Sequence, residues 1–365
     1  MIACLSPNGQ NSRFGSAAPT RLLVATVLGV NVLDRERPGA PWRARRSLDG
    51  HHCGSIMIEP RKGGVFAGMH SGGLYYSADG GDTWELRNAG ITIPHVFSLG
   101  YAHVGDQIRL YAGTEPASIF RSDDYGLTWV EQPGVKNTEG REAWRFPGKD
   151  NGPHVKSMFI DPNDQNIIYL GVEQGDVLKT TDGGANYRVL DDYSKPDDWT
   201  YRDIHQIVVN YANSNEIFMS TGMGVYHSAD AGETWKMIID HTFPIGYPDH
   251  FFISPLDNDT MFLSGASSNP GTWRTTHRAD PTVMKSTDHA RTWYDASTGL
   301  PADRRANFEA MSLAGYPGAF SLFVGTTDGE VYESDDQAVH WTHIASDLGA
   351  VSKIYHHKNL HLVHS

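Results

Sequence analysis

Residues 77–84 read SADGGDTW, and five variants of that octet follow: SDDYGLTW at 122–129, TTDGGANY at 180–187, SADAGETW at 228–235, STDHARTW at 286–293 and SDDQAVHW at 334–341. Successive copies start 45, 58, 48, 58 and 48 residues apart. Self-similarity at such a period marks a stacked or radial repeat architecture. The chemistry of the octet is local. A Ser or Thr two residues ahead of an Asp lets short polar side chains bond nearby amides and hold a turn. Gly81, Gly126, Gly184 and Gly232 supply the backbone freedom such a turn needs. The closing aromatic buries a large surface between neighbouring repeats. Ala290 and Ala338 replace the glycine in the last two copies, so those turns are expected to be less regular.

Outward from each octet the units share one plan. An inner strand comes first (SIMIEP, SLGYA, SMFIDP, VVNYA, HFFISP, AMSLAG), then a second strand ending near a glycine. A third strand runs into the octet, and a fourth begins at its aromatic. Four short strands per unit, repeated around an axis, predict an all-β, seven-bladed β-propeller, with six blades as the alternative. Six full units lie between residues 50 and 348. The N-terminal strands 20–26, 29–36 and 42–48 lack an inner partner, and the segment 350–357 reads as an inner strand without the rest. Together these pieces are expected to close the ring, with residues 1–19 a flexible tail and 20–365 one domain.

The octets resemble the Asp-box, or BNR, repeat of sialidases, sortilin-type receptors and photosystem II assembly factors, and the chain is similar to bacterial BNR-like proteins of unassigned activity. The resemblance implies the propeller and says little about activity, because the boxes are structural in all those families. Sialidases carry an RIP motif and an arginine triad; neither is present here, so sialidase activity is not expected. The assembly factors often use a basic patch, and this chain is acidic.

Composition narrows the partners. The net charge of −13, without a basic run, argues against nucleic acid. No apolar run is long enough for a membrane-spanning helix. LLVATVLGVNVL at 22–33 reads as blade strands, with no small-residue cleavage site of a leader. Two cysteines, Cys4 and Cys53, make no disulfide framework and fit a reducing compartment, so a cytoplasmic location is expected. The register predicts Cys53 turned into its blade, buried and inert.

The long insertions at 133–153, 191–204, 241–249 and 266–282 all fall on one predicted face, where function on a rigid scaffold concentrates. Aligning the inner strands places His52, His95, His154 and His205 at one repeated position, with Tyr247 and Asn307 following in the next two units. Two residues past the glycine of the second strand stand His70, Glu115 and Glu173. Inherited repeat position explains such a pattern without chemistry. Convergence of four imidazoles with carboxylates beside them instead points to a metal or acid–base site.

The expectation is therefore a metal-dependent hydrolase or lyase acting on a small organic substrate. His52, His95, His154 and His205 would hold zinc, iron, manganese, copper or nickel. Glu115, Glu173 and His70 would serve as proton-handling groups. Trp144, Arg145, Arg202, Tyr247 and His250 would hold the substrate. A non-catalytic scaffold for a protein or glycan is the alternative, and a glycoside hydrolase using paired carboxylates the third reading.

Overall fold

The computed structural model describes residues 1–9, 11–146, 152–194, 202–353 and 357–360. It contains seven antiparallel-cored sheets arranged as blades. Blades 1–6 begin with the inner strands Cys53–Ile58, Val96–Val104, His154–Ile160, Ile204–Asn210, Tyr247–Ile253 and Ala310–Tyr316. Blade 7 holds Arg21–Thr26, Gly29–Asp34 and Arg43–Asp49. Apolar side chains from the inner three strands of each blade interleave with the next, and box aromatics such as Trp129 and Trp341 are buried at those seams.

The octets act as turn locks. In the first, Asp79 Oδ1 accepts from the Ser77 hydroxyl (2.7 Å) and the amides of Asp82 and Thr83 (both 2.9 Å), and Oδ2 accepts from the Thr83 hydroxyl (2.6 Å). Thr83, then the other donors, holds the Asp79 carboxyl below its ordinary range. The expectation of less regular turns at Ala290 and Ala338 is not met. Both adopt left-handed φ of 59° and 61° and donate to Ser286 and Ser334 Oγ, as Gly81 does to Ser77. The bonding set outweighs the roughly 1 kcal/mol that a non-glycine residue costs there.

Ring closure differs from the sequence expectation. The inner strand of blade 7 is Ile2–Leu5, pairing parallel to Arg21–Thr26. Residues 350–353 form no strand, 357–360 are helical, and 354–356 of the expected strand lie outside the described residues. The 1–19 segment is thus built into the ring. After Leu5 it crosses the centre, where the Asn8 amide donates to Gly54 O and the Gly9 amide to Lys156 O. It returns as Ser12–Phe14, a fifth strand lying parallel against blade 6. Ser6, Asn8 and Asn11 are buried on this path, so the segment fills the central channel. Deleting residues 1–15 is expected to cost at least ~5 kcal/mol, because Ala3, Cys4 and Leu5 are core and two inner strand edges are bared. Thermal unfolding of the truncated chain checks this; an unchanged midpoint would mean the segment is dispensable.

Cys4 and Cys53 are buried free thiols, Cys53 turned into its blade as the register predicts, and burial raises both, to about 11 and about 12.

Candidate active site at the axial mouth

The inner strands of blades 1–5 each carry a bulge. Pairing with the second strand skips Gly54, Phe97, Lys156, His205 and Asp249. A bulge leaves one residue unpaired and re-aims its side chain. Just before it stand His52, His95 and His154 in the first three blades, next to His70, Glu115 and Glu173 of the second strands. The His52 carbonyl accepts the His70 amide (2.9 Å), the His95 carbonyl accepts the Glu115 amide (3.0 Å), and His154 pairs with Glu173.

In blade 4 the corresponding carbonyl belongs to Asp203, which accepts the Gly222 amide at 2.8 Å. His205 therefore sits two residues further on, in the bulge position shared with Lys156 and Asp249. The predicted four-histidine row slips by two residues at its last member, because a strand's period of two lets the alignment start at Val208 instead of Gln206.

The four imidazoles do not meet at one point. His52 Nε2 lies 2.8 Å from Ser352 O, and its ring stacks on His70 at 3.8 Å between centroids. Phe97 follows at 4.2 Å from His70 and 4.2 Å from His154, continuing an aromatic ladder. His95 is exposed. Burial, then the neighbouring imidazoles, keeps His70 well below the ordinary histidine range, which favours the neutral ring. Gly54 is required beside it: a Cβ there would lie 2.5 Å from His70 Nε2.

From blade 3 to blade 5 the axis holds an ionic network. Glu173 accepts from Lys156 Nζ at 2.8 Å and contacts His154 Nε2 at 2.6 Å, with both partners buried. Burial alone would raise the Glu173 carboxyl; Lys156 and then His154 hold it well below its usual range. His205 Nε2 lies 3.4 Å from Asp203 Oδ2, which also accepts from the Tyr247 hydroxyl at 3.0 Å. Asp203 is likewise held low, chiefly by His205 against the opposing effect of burial. His205 is depressed to about 4, first by burial and then by Lys156 and Lys353. Asp249 is ion-paired to Lys353 and accepts from Asn307 Nδ2 at 3.1 Å.

Lys156, Asp203, Asp249 and Lys353 were missed by sequence reasoning. The signal was present in part: Lys156 in HVKSMFI and Asp249 in YPDHFFI are charges inside otherwise apolar inner strands. Glu173, Asp203 and His205 bring ligand atoms within 4.8 Å of one another. Lys156 Nζ already bonds the Glu173 carboxylate at 2.8 Å, so this group fits a cation poorly.

The expected substrate-holding residues are mostly occupied. Trp144, Tyr247 and His250 are buried. Asp176 accepts from Trp144 Nε1 at 2.6 Å and pairs with Arg202 at 2.9 Å, pinning two face loops together. His250 Nε2 lies 3.2 Å from Glu309 O, below the mouth. Arg145 is exposed, but its Nη1 donates to the carbonyls of Glu142 and Trp144 in its own loop. The loops do gather on one face, as the Arg145–Gln174, Gln174–Arg202 and Ala279–Arg305 backbone bonds show. The 266–282 insertion contributes the helix Pro270–Thr276, with Trp273 buried against Tyr247.

Fold and boxes together define a seven-bladed β-propeller built from BNR/Asp-box repeats. The BNR/Asp-box repeat family matches at residues 75–86. A xyloglucanase of Hypocrea jecorina is 25% identical over 344 residues, 79% of this chain and 38% of that protein. Among solved structures, an ancestral GH74 enzyme superposes with a TM-score of 0.64 at 16% identity, covering 86% of this chain and 40% of that one. YCF48 bound to D1 peptide gives a TM-score of 0.56 at 12% identity, over 95% of both chains. These structural likenesses establish the fold. The chain spans less than half the length of the curated relatives it matches. Those relatives are named for xyloglucan, a polysaccharide, which corrects the expectation of a small-molecule substrate.

Proposed function

We propose that this propeller is a glycoside hydrolase acting on a polysaccharide of the xyloglucan type. The observation that carries the reading is the row of carboxylates from successive blades at the axial mouth, Glu115, Glu173 and Asp203, with imidazoles between them. The xyloglucanase relatives support it. Glu173 is held by Lys156 on one oxygen, lies against His154 with the other, and is sealed. Glu115 and Asp203 are the working pair, with side chains 10% and 13% exposed. Asp203, kept ionised beside His205, is the base that takes a proton from the water attacking the anomeric carbon. Glu115 gives its proton to the departing glycosidic oxygen as the C–O bond breaks, and water completes the exchange. His154 and His205 act as positioning residues.

Xyloglucan hydrolysis, read as new reducing ends, tests this. Asp203→Asn and Glu115→Gln are each expected to lower the rate by roughly 10²-fold or more while the fold is retained. Rates in both variants equal to that of the unmodified protein sink the assignment. A second reading, a non-catalytic glycan-binding propeller, is favoured by the ion pairing already present at the axis. It requires xyloglucan binding in affinity electrophoresis with no new reducing ends from the unmodified protein.

A further inference from the structure

Glu216, His227 and His289 form a second cluster at the seam between blades 4 and 5, away from the axis. Glu216 lies on the second strand of blade 4 (Asn213–Thr221), His227 on the third (Gly224–Ser228), and His289 in the Asp box of blade 5. Glu216 Oε1 is 3.1 Å from His227 Nε2 and 2.8 Å from His289 Nε2. Asn210 Nδ2 donates to the other oxygen, Oε2, at 2.5 Å and fixes the carboxylate plane. The His227 ring is braced against Phe218 at 4.8 Å between centroids.

The orientation of His289 is the informative detail. Its Nδ1 lies 3.0 Å from the Asn258 carbonyl oxygen and its Nε2 2.8 Å from a carboxylate oxygen. A neutral imidazole has one N–H. With that proton donated to Asn258, the Nε2 lone pair faces the carboxylate without a proton between them. Either a second proton or a cation resolves the clash. A backbone carbonyl that takes the Nδ1 proton and aims Nε2 outward is also the usual support for a metal-ligating histidine.

We propose that Glu216, His227 and His289 bind a divalent transition metal of the zinc class. Two imidazole nitrogens and one carboxylate oxygen suit that borderline cation. Around a tetrahedral zinc, neighbouring ligand atoms lie ~3.3 Å apart. The two Glu216–histidine spacings reach this by a few tenths of an ångström of side-chain adjustment, and all three ligand atoms lie within 4.8 Å of one another. A cavity of about 410 Å³, lined by His227, His289, Met237 and Arg291 among others, adjoins the cluster and admits a water as fourth ligand. The metal would clamp blade 4 to blade 5 independently of the axial chemistry.

Equilibrium dialysis of the full chain against zinc chloride at pH 7.5, with elemental analysis, is the test. One zinc per chain is expected, weakened at least tenfold in His227→Ala, His289→Ala and Glu216→Gln, and unchanged in Asp203→Asn. Cobalt(II) loading of the unmodified protein should give the intense visible absorption of a tetrahedral site, which holds even if a variant folds poorly. Zinc binding that survives the paired histidine substitutions, or that is lost in Asp203→Asn, overturns the assignment. Failure of the unmodified protein to take up zinc or cobalt leaves the proton as the occupant and overturns it equally.

Discussion

Lys156→Met will lower the unfolding free energy by about 3–5 kcal/mol, because it leaves the Glu173 carboxylate buried with its ammonium partner gone. Methionine keeps the aliphatic volume, so the loss reports charge rather than packing. Lys156→Met/Glu173→Gln, which removes both charges, should recover a large part of it. At lower pH a proton can take the place of the ammonium on Glu173. The deficit of Lys156→Met relative to the unmodified chain should therefore shrink between pH 7.5 and pH 5. Guanidinium unfolding at both pH values reads all three results, with the midpoint as the observable at constant slope. A loss below about 1 kcal/mol would show that water reaches the pair and that the axis is not sealed.

Acid will unfold this protein at a milder pH than carboxylate protonation alone requires. His205 and His250 are both depressed from 6.5 to about 4, principally by burial, and His70 lies well below 6.5 for the same reason. A histidine with a folded pKa below its unfolded value is neutral in the fold, while the unfolded chain takes up the proton. Between pH 6.5 and pH 4 the unfolded state binds more protons, so stability falls as the pH falls. Each such imidazole is worth on the order of 2–3 kcal/mol across that window. Glu173 acts in the same direction below its ordinary 4.5, since its folded carboxyl is held low. The melting temperature is expected to drop by ~10 °C or more between pH 7 and pH 5. In His250→Gln the pH slope should be visibly shallower, even if the variant is less stable at pH 7. An unmodified chain with a flat profile over that range would mean these imidazoles titrate in the fold as freely as in water.

Both results depend on groups that only partly showed themselves in the chain. His70, His154 and Glu173 were legible as repeated positions, and the structure brings them to the axial mouth together. His205 was misplaced by two residues because strand alternation has a period of two: Gln206 stands level with Ser157 in the strand pairing, but an alignment that starts at Val208 keeps the same faces and reads equally well. Asp203 then occupied the position that alignment assigned to histidine. Trp144 and Arg202 were read as ligand contacts, but Asp176, a residue without a repeat signature, binds both and turns them into loop supports.

By itself the sequence determined the blades. Every bond that makes an Asp box spans two to four residues, as between Ser77, Asp79 and Thr83, so six copies announce their turns locally. Strand alternation between the boxes then counts the units. Only the tertiary structure decided how the ring closes and what lies on its axis. Ile2–Leu5 gains its role from parallel pairing with Arg21–Thr26 inside the ring, and nothing in four residues distinguishes it from a tail. The axial network joins Lys353 to Asp249, 104 residues away, and Lys156 to Glu173 across neighbouring strands. Those charges persist in the core because closure of the propeller places opposite charges at hydrogen-bonding distance and excludes water. That condition is a property of the closed ring, which no local stretch of sequence contains.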